Sequence, residues 1–158
     1  MSAFEERPPY GSYAAILGSF AGFLAAAGAV GRLVDRDPQC QTALDFAVLS
    51  AASFKAARTL SRDQVTSFIR EPFVRGRAHS GDEEPVPNGG LEQAIGELVT
   101  CTRCVGTWAA AALASTQILA PRFGRLLTWS LGAAAANDFL QAGFTALTAR
   151  ANELERSD

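Results

Sequence analysis

Charge is spread unevenly along this chain. Residues 13–31 (YAAILGSFAGFLAAAGAVG) and 104–121 (CVGTWAAAALASTQILAP) carry none, and between Arg125 and Arg150 the only charged position is Asp138. Crossing the hydrocarbon of a bilayer takes about 20 predominantly apolar residues, a length within reach of all three stretches. A fourth, residues 41–54, is shorter and holds Asp45. It spans only if Lys55 and Arg58 extend their side chains to the interface. The pattern predicts an all-α, polytopic membrane bundle of about four spans in one domain over residues 1–158, with spans near 13–34, 38–58, 101–120 and 126–149. An alanine-rich water-soluble bundle fits the same windows, because alanine drives insertion weakly compared with Leu, Ile or Phe.

Small residues shift the balance toward lipid. Ala14, Gly18, Gly22 and Ala26 recur at every fourth position, a ladder that lets helices approach closely where water cannot drive their association. In a water-soluble helix the glycines at 18, 22, 28 and 31 would each cost about 1 kcal/mol relative to alanine. The ladder is expected to receive a neighbouring span, the third helix at Ala110 and Ala114 being the natural partner. The alternative use is a homo-oligomer, the ladder pairing with its copy. The segment is read as a mature helix rather than a secretory signal, since Glu5-Glu6-Arg7 ahead of it is not positively charged and no clean cleavage site follows.

The breaks are marked by capping residues and prolines. Asp37-Pro38 predicts the start of the second helix. Ser61-Arg62-Asp63-Gln64 reads as a capping box opening a short helix that ends before Pro72. In it Val65, Phe68, Ile69 and Phe73 share one face while Arg62, Thr66, Arg70 and Glu71 occupy the rest, the pattern of a helix lying at a membrane surface or on a protein core. Residues 79–90 (HSGDEEPVPNGG) predict a flexible loop, and Leu91 starts a helix running toward the cysteines. Four alternating spans put nine basic residues, in both tails and the middle loop, on one side against four, Arg32, Arg36, Arg122 and Arg125, on the other. The positive-inside rule then places both termini and the 59–97 loop in the cytoplasm, with the protein in the cell (inner) membrane.

Composition narrows the function classes. The 158 residues include 14 basic and 16 acidic side chains, net charge -2, which excludes a generally basic nucleic-acid binder. One histidine, His79, excludes a histidine-built metal site, and three cysteines exclude a disulfide scaffold. Gly28-Ala29-Val30-Gly31 lacks the Lys and Ser/Thr of a phosphate loop. Arg58, Arg62, Arg70, Arg75 and Arg77, interleaved with Phe68 and Phe73, lie beside an apolar helix end, where anionic lipid rather than nucleic acid is the expected partner.

One run of motifs is familiar. An apolar helix leads into KAARTLSRDQVTSFIREPFV, followed by an acidic loop and GELVTCTRCVGTWAAAALA. Over residues 43–114 the chain resembles the domain-of-unknown-function family 1360 of small bacterial membrane proteins. The family pattern falls on Arg58, Asp63, Val65, Arg70, Pro72 and Phe73, then on Gly96, Glu97, Leu98, Cys101, Cys104 and Trp108. Thr102 stands where the family usually has proline, so the backbone there is expected to be less kinked. The leading helix lies outside the match. The resemblance implies a membrane location and brings no chemistry or cofactor with it.

Cys101-Thr102-Arg103-Cys104 is the one constellation able to carry chemistry. A Cys-x-x-Cys at a helix start favours a thiolate through the helix dipole and a nearby cation, here Arg103, which points to thiol–disulfide work. Against it, the pair lies near the cytoplasmic face, where thiols are kept reduced, and Cys40 lies at the opposite face. Half of a metal site, two thiolates with Glu97, is a second use, completed in a dimer. Plain packing of two small sulfur side chains is the third. Asp45, Asn137, Asp138 and Gln141 fall inside predicted spans, and no basic residue of another span is expected to neutralise the acids. Interhelical hydrogen bonds that fix the bundle are the preferred role, a proton or cation path the alternative. No complete catalytic set can be assembled, so the expected function is a non-enzymatic interaction or scaffold component of the membrane.

Overall fold

Thr42 and Asp45 cap each other. The Asp45 amide donates to Thr42 Oγ1 (3.2 Å) and the Thr42 amide donates to the Asp45 carboxylate (3.0 Å), which fixes the start of α2 (Ala43–Arg62). Asp45 is thus a first-turn capping residue rather than a solitary acid inside a span. The predicted start at Asp37-Pro38 lies outside the residues described by this computed structural model, which are 8–36, 41–76 and 83–156. The remaining helices are α1 (Tyr10–Leu33), the single turn α3 (Ser67–Arg70), α4 (Leu91–Thr100), α5 (Thr102–Leu119) and α6 (Pro121–Glu155). A short antiparallel hairpin joins β1 (Val74–Arg75) to β2 (Glu84–Pro85), with Val74 opposite Pro85. The fold is all-α apart from that hairpin, and part of the predicted flexible loop is therefore a paired strand.

Two predicted features of the middle segment are overturned. Ser61 opens no capping box: its hydroxyl donates to the Ala57 carbonyl (2.8 Å) and meets Thr102 Oγ1 (2.9 Å), and α2 continues through it to Arg62. The amphipathic helix is broken into a 3₁₀ turn (Gln64–Thr66), α3 and a second 3₁₀ turn (Glu71–Phe73), because Pro72 at the first turn of the last piece cannot continue α3. Arg70 is buried, while Val65 and Phe68 are exposed.

The four long helices alternate in direction. Tyr13 meets Glu97 near the start of α5, and Gly31 meets Ile118 at its end, so α1 runs parallel to α5. Ser61 at the end of α2 touches Thr102 at the start of α5, so these two are antiparallel. Val48 lies against Gly132 and Lys55 against Asp138, so α2 and α6 run parallel. Only Ala120 separates α5 from α6, and Pro121, which lacks an amide hydrogen, opens α6 where none is needed. The hairpin is tight: a Cβ on Gly124 would fall 2.5 Å from the Gln117 amide nitrogen. Both described chain ends and the described residues of the 63–101 connection share one end of the bundle.

Few large apolar side chains are buried. The buried side chains are Ala52, Ala57, Ala94, Ala109 and Ala135 with Ser53, Ser61, Ser115, Thr128 and Arg70, joined by Val105 and Leu113. Exposed positions include Leu17, Phe46, Phe68, Leu126, Phe139, Leu140, Phe144 and Leu147. Among the described residues one helix, α1, is long and apolar enough by itself to cross a membrane.

The α1 ladder does not receive a neighbouring span. Helix α1 rests on α5 and α4 through Tyr13, Ile16, Phe20 and Gly31, whereas Cβ atoms built on Gly18 and Gly22 would meet nothing within 4 Å. The stripes at i and i+2 lie about 200° apart around a helix, so a face holding 16 and 20 turns 14, 18 and 22 away. Gly22→Ile is accordingly expected to leave the thermal midpoint of the purified protein unchanged. Gly96→Ala should lower stability by about 1–3 kcal/mol, because its Cβ would sit 2.4 Å from the Phe73 carbonyl oxygen. Equal losses in the two variants would contradict this packing.

Candidate functional site: the connection at one end of the bundle

Arg70 organises the segment between α2 and α4. Its guanidinium is 1% exposed and forms a two-pronged pair with Glu83, Nε to Oε2 at 2.8 Å and an Nη donor to Oε1 at 3.0 Å. The other terminal nitrogen, Nη1, donates to the Leu60 carbonyl (2.7 Å), the Asp63 carbonyl (3.2 Å) and Thr66 Oγ1 (3.0 Å). Thr66 Oγ1 donates in turn to the Thr59 carbonyl (2.5 Å). Carbonyls at the end of a helix lack partners within it, and in the last turn of α2 the buried cation takes that of Leu60 while the Thr66 hydroxyl takes that of Thr59. Asp63 contributes its backbone, as the residue after the last turn. Arg58 is exposed, and Pro72 stands in the turn that leads from α3 into β1.

The second group of motif positions faces α1. Glu97 on α4 accepts from the Tyr13 hydroxyl through one oxygen and from Gln93 Nε2 (3.0 Å) through the other. Trp108 on α5 meets Phe20 edge-on at 5.0 Å between ring centres and lies near-parallel to Phe23 at 6.5 Å. Gly89, with φ +68°, turns the chain into α4, and its amide donates to Gln93 Oε1 (2.8 Å).

Cys101 precedes α5 as its capping residue, with Sγ accepting from the Cys104 amide at 3.3 Å. Both thiols are free, Cys104 exposed and Cys101 half-buried. Cys104 lines an open cavity of about 340 Å³ together with Tyr13, Ile16, Phe20, Leu98 and Trp108. Among the described residues no three metal-ligating acids, thiols or imidazoles come together. Cys40 and His79 lie outside the described residues, as does Arg77.

The predicted intramembrane polar residues separate. Asp138 is not left without a cation: Lys55 Nζ on α2 reaches its carboxylate at 2.7 Å, beside the stacked rings of Phe54 and Phe139. Lys55 therefore points across to α6 instead of extending to an interface. Asn137 and Gln141 are exposed on α6. A further link between helices, Gln117 Nε2 to Thr128 Oγ1 (2.9 Å), joins α5 to α6.

Comparison with known sequences fits this arrangement. The sequence model of the family described as "Protein of unknown function (DUF1360)" matches residues 48–144, from the second turn of α2 to well along α6. The chain belongs to the DUF1360 family. It is similar to the UPF0713 protein YngL of Bacillus subtilis (strain 168), 29% identical over 103 residues that cover 62% of this chain and 76% of that relative. No solved structure matches. Within this DUF1360 chain the matched region holds the Arg70 cluster, the thiol pair and the Lys55–Asp138 link, and leaves out α1.

The pairings of Glu83 with Arg70, Tyr13 with Glu97 and Lys55 with Asp138 are what the sequence alone did not pick out. Their members lie 13, 84 and 83 residues apart, and only an unmatched charge or hydroxyl in an apolar setting marks them. Arg70→Ala leaves Glu83 buried without its cation and should destabilise the protein by about 3–5 kcal/mol, whereas Arg70→Met with Glu83→Leu should recover most of that loss. Chemical denaturation of the purified variants measures both. A loss below about 1 kcal/mol for the single variant would remove Arg70 from the centre of this end.

Proposed function

We infer that this DUF1360 protein is a four-span protein of the cell membrane and a non-enzymatic interaction or scaffold component, with the 63–101 end facing the cytoplasm on anionic lipid. The inverted burial carries this reading: small and polar side chains fill the interior while Phe and Leu cover the outside. That distribution suits a solvent as apolar as leucine, in which helices associate by close approach and hydrogen bonds. Helices of 20 and 18 residues, as α2 and α5 are, reach about 30 and 27 Å at 1.5 Å per residue, close to the hydrocarbon thickness of about 30 Å. The Lys55–Asp138 pair offsets part of the cost of placing two partly exposed ions in that solvent.

The surface at the 63–101 end supports contact with lipid headgroups. Val65, Phe68 and Ile69 project from a short segment held rigid by Arg70, and Arg58, Arg62 and Arg75 are exposed beside them. Apolar tips flanked by cations match an anionic interface. The protein should stay with membranes washed in alkaline carbonate and leave them only with detergent. A green fluorescent reporter fused after residue 158 should fluoresce, and a phosphatase reporter there should be inactive. Release by carbonate would contradict the membrane reading, and an active phosphatase would reverse the orientation.

A thiol redox role is the second reading, favoured by the contact of the Cys104 amide with Cys101 Sγ. Alkylation of growing cells distinguishes the two. The scaffold reading expects both thiols reduced and labelled before and after an oxidant pulse. Reversible protection of the pair, with loss of phenotype in Cys101→Ser, would favour the redox reading.

A further inference from the structure

From residue 139 onward every described position of α6 is exposed. With Val48 opposite Gly132 and Lys55 opposite Asp138, the end of α2 falls near residue 146, so the last turns of α6 run past it. The outward face of this half of α6 is not randomly apolar. Asn137, Leu140, Phe144, Leu147, Ala151 and Leu154 recur at spacings of three and four residues, the heptad seam of a coiled coil. The stripe lies on the side away from α2, which α6 faces with Gly132, Ala135, Asp138 and Phe139.

We propose that the C-terminal half of α6 pairs, parallel and in register, with the same segment of a second copy of this chain. Placing Phe144 and Ala151 at the a positions puts Leu140, Leu147 and Leu154 at d, the leucine arrangement that suits two parallel strands. The flanking charges agree with this register. Arg150 falls at g and Glu155 at e, five residues later, and those are the two positions that face each other across a parallel dimer. In an antiparallel pair g faces g and e faces e, so Arg150 would meet Gly143 or another Arg150 and Glu155 would find no cation. Asn137 occupies the a position at the other end, where a polar pair fixes register. This face belongs to a different helix from the outward glycine ladder of α1. The pairing holds for the projecting turns whether or not lipid covers the rest of α6, so the proposal does not depend on the four-span reading.

Cysteine crosslinking of the full chain tests it, in a background with Cys40, Cys101 and Cys104 changed to Ser. Single substitutions Leu147→Cys, Ala151→Cys and Leu154→Cys should form disulfide-linked dimers on mild oxidation. Ala146→Cys and Ala149→Cys, on the outer positions, should not. Arg150→Glu in the Leu147→Cys chain should lower the crosslinked fraction by about threefold, and adding Glu155→Arg should restore it. A monomer by analytical ultracentrifugation in detergent and in lipid nanodiscs, with no crosslink at seam positions, would overturn the proposal. Crosslinking that is equal at all five positions, or unaffected by the charge reversal, would overturn the register and orientation.

Discussion

Helices α2, α5 and α6 meet through side chains that have little apolar area to hide. Ala52, Ala57 and Ala135 are buried to within 1%, yet an alanine contributes one methyl group. At about 25 cal/mol per Å², such an interior supplies a small part of what a core of Leu and Phe would. What alanine and glycine supply instead is proximity. Gly132 lets the backbone of α6 reach Val48, and Gly124 lets the α5–α6 turn close on Gln117. Helices that approach this closely gain dispersion contacts along their length and bring polar groups into range, as in Ser61 with Thr102, Gln117 with Thr128 and Lys55 with Asp138. The large apolar side chains are left on the outside, and every other property of the protein follows from what covers them.

Order at the 63–101 end has a different origin. Residues 63–76 are tied to α2 by the buried guanidinium of Arg70 and by the Thr66 hydroxyl. Arg70 takes the Leu60 carbonyl in the last turn of α2 and the Asp63 carbonyl just after it, and it pairs with Glu83 beside β2, while Val65, Phe68 and Ile69 stay exposed. Placing the cation inside and the apolar side chains outside costs free energy in water. At a membrane surface the same arrangement is favourable, because the apolar tips enter the headgroup boundary while the buried charge is fully hydrogen-bonded.

Much of the architecture was legible in the chain. The four long helices, the helix from Leu91, and the position of Cys101 at a helix start follow from charge-free runs, proline and glycine. The alternation of direction follows from their order. The misreadings share one cause, which is that local pattern does not tell which face of a helix its neighbours occupy. Ser61 is a good cap by type, but its hydroxyl goes to Thr102 on another helix. The ladder on α1 is a good packing face by composition, but Tyr13 and Phe20 decide the rotation of α1 through Glu97 and Trp108. Asp138 looks unmatched in sequence because its cation lies 83 residues away. The Arg70–Glu83 pair was half legible: Arg70 stood out within the motif, while Glu83 was hidden in a run of acids.

The central claim, that lipid covers the apolar exterior, can be measured residue by residue. Nitroxide labels would be placed at Leu17, Leu24, Phe46 and Leu126, all exposed in the isolated chain, and at Gln64 on the connection. In liposomes, oxygen partitions into hydrocarbon and a nickel chelate stays in water, so their relaxation effects separate the two environments. The account predicts high oxygen and low nickel accessibility at the four apolar sites and the reverse at Gln64. Nickel accessibility at Leu24, Phe46 and Leu126 equal to that at Gln64 would contradict it.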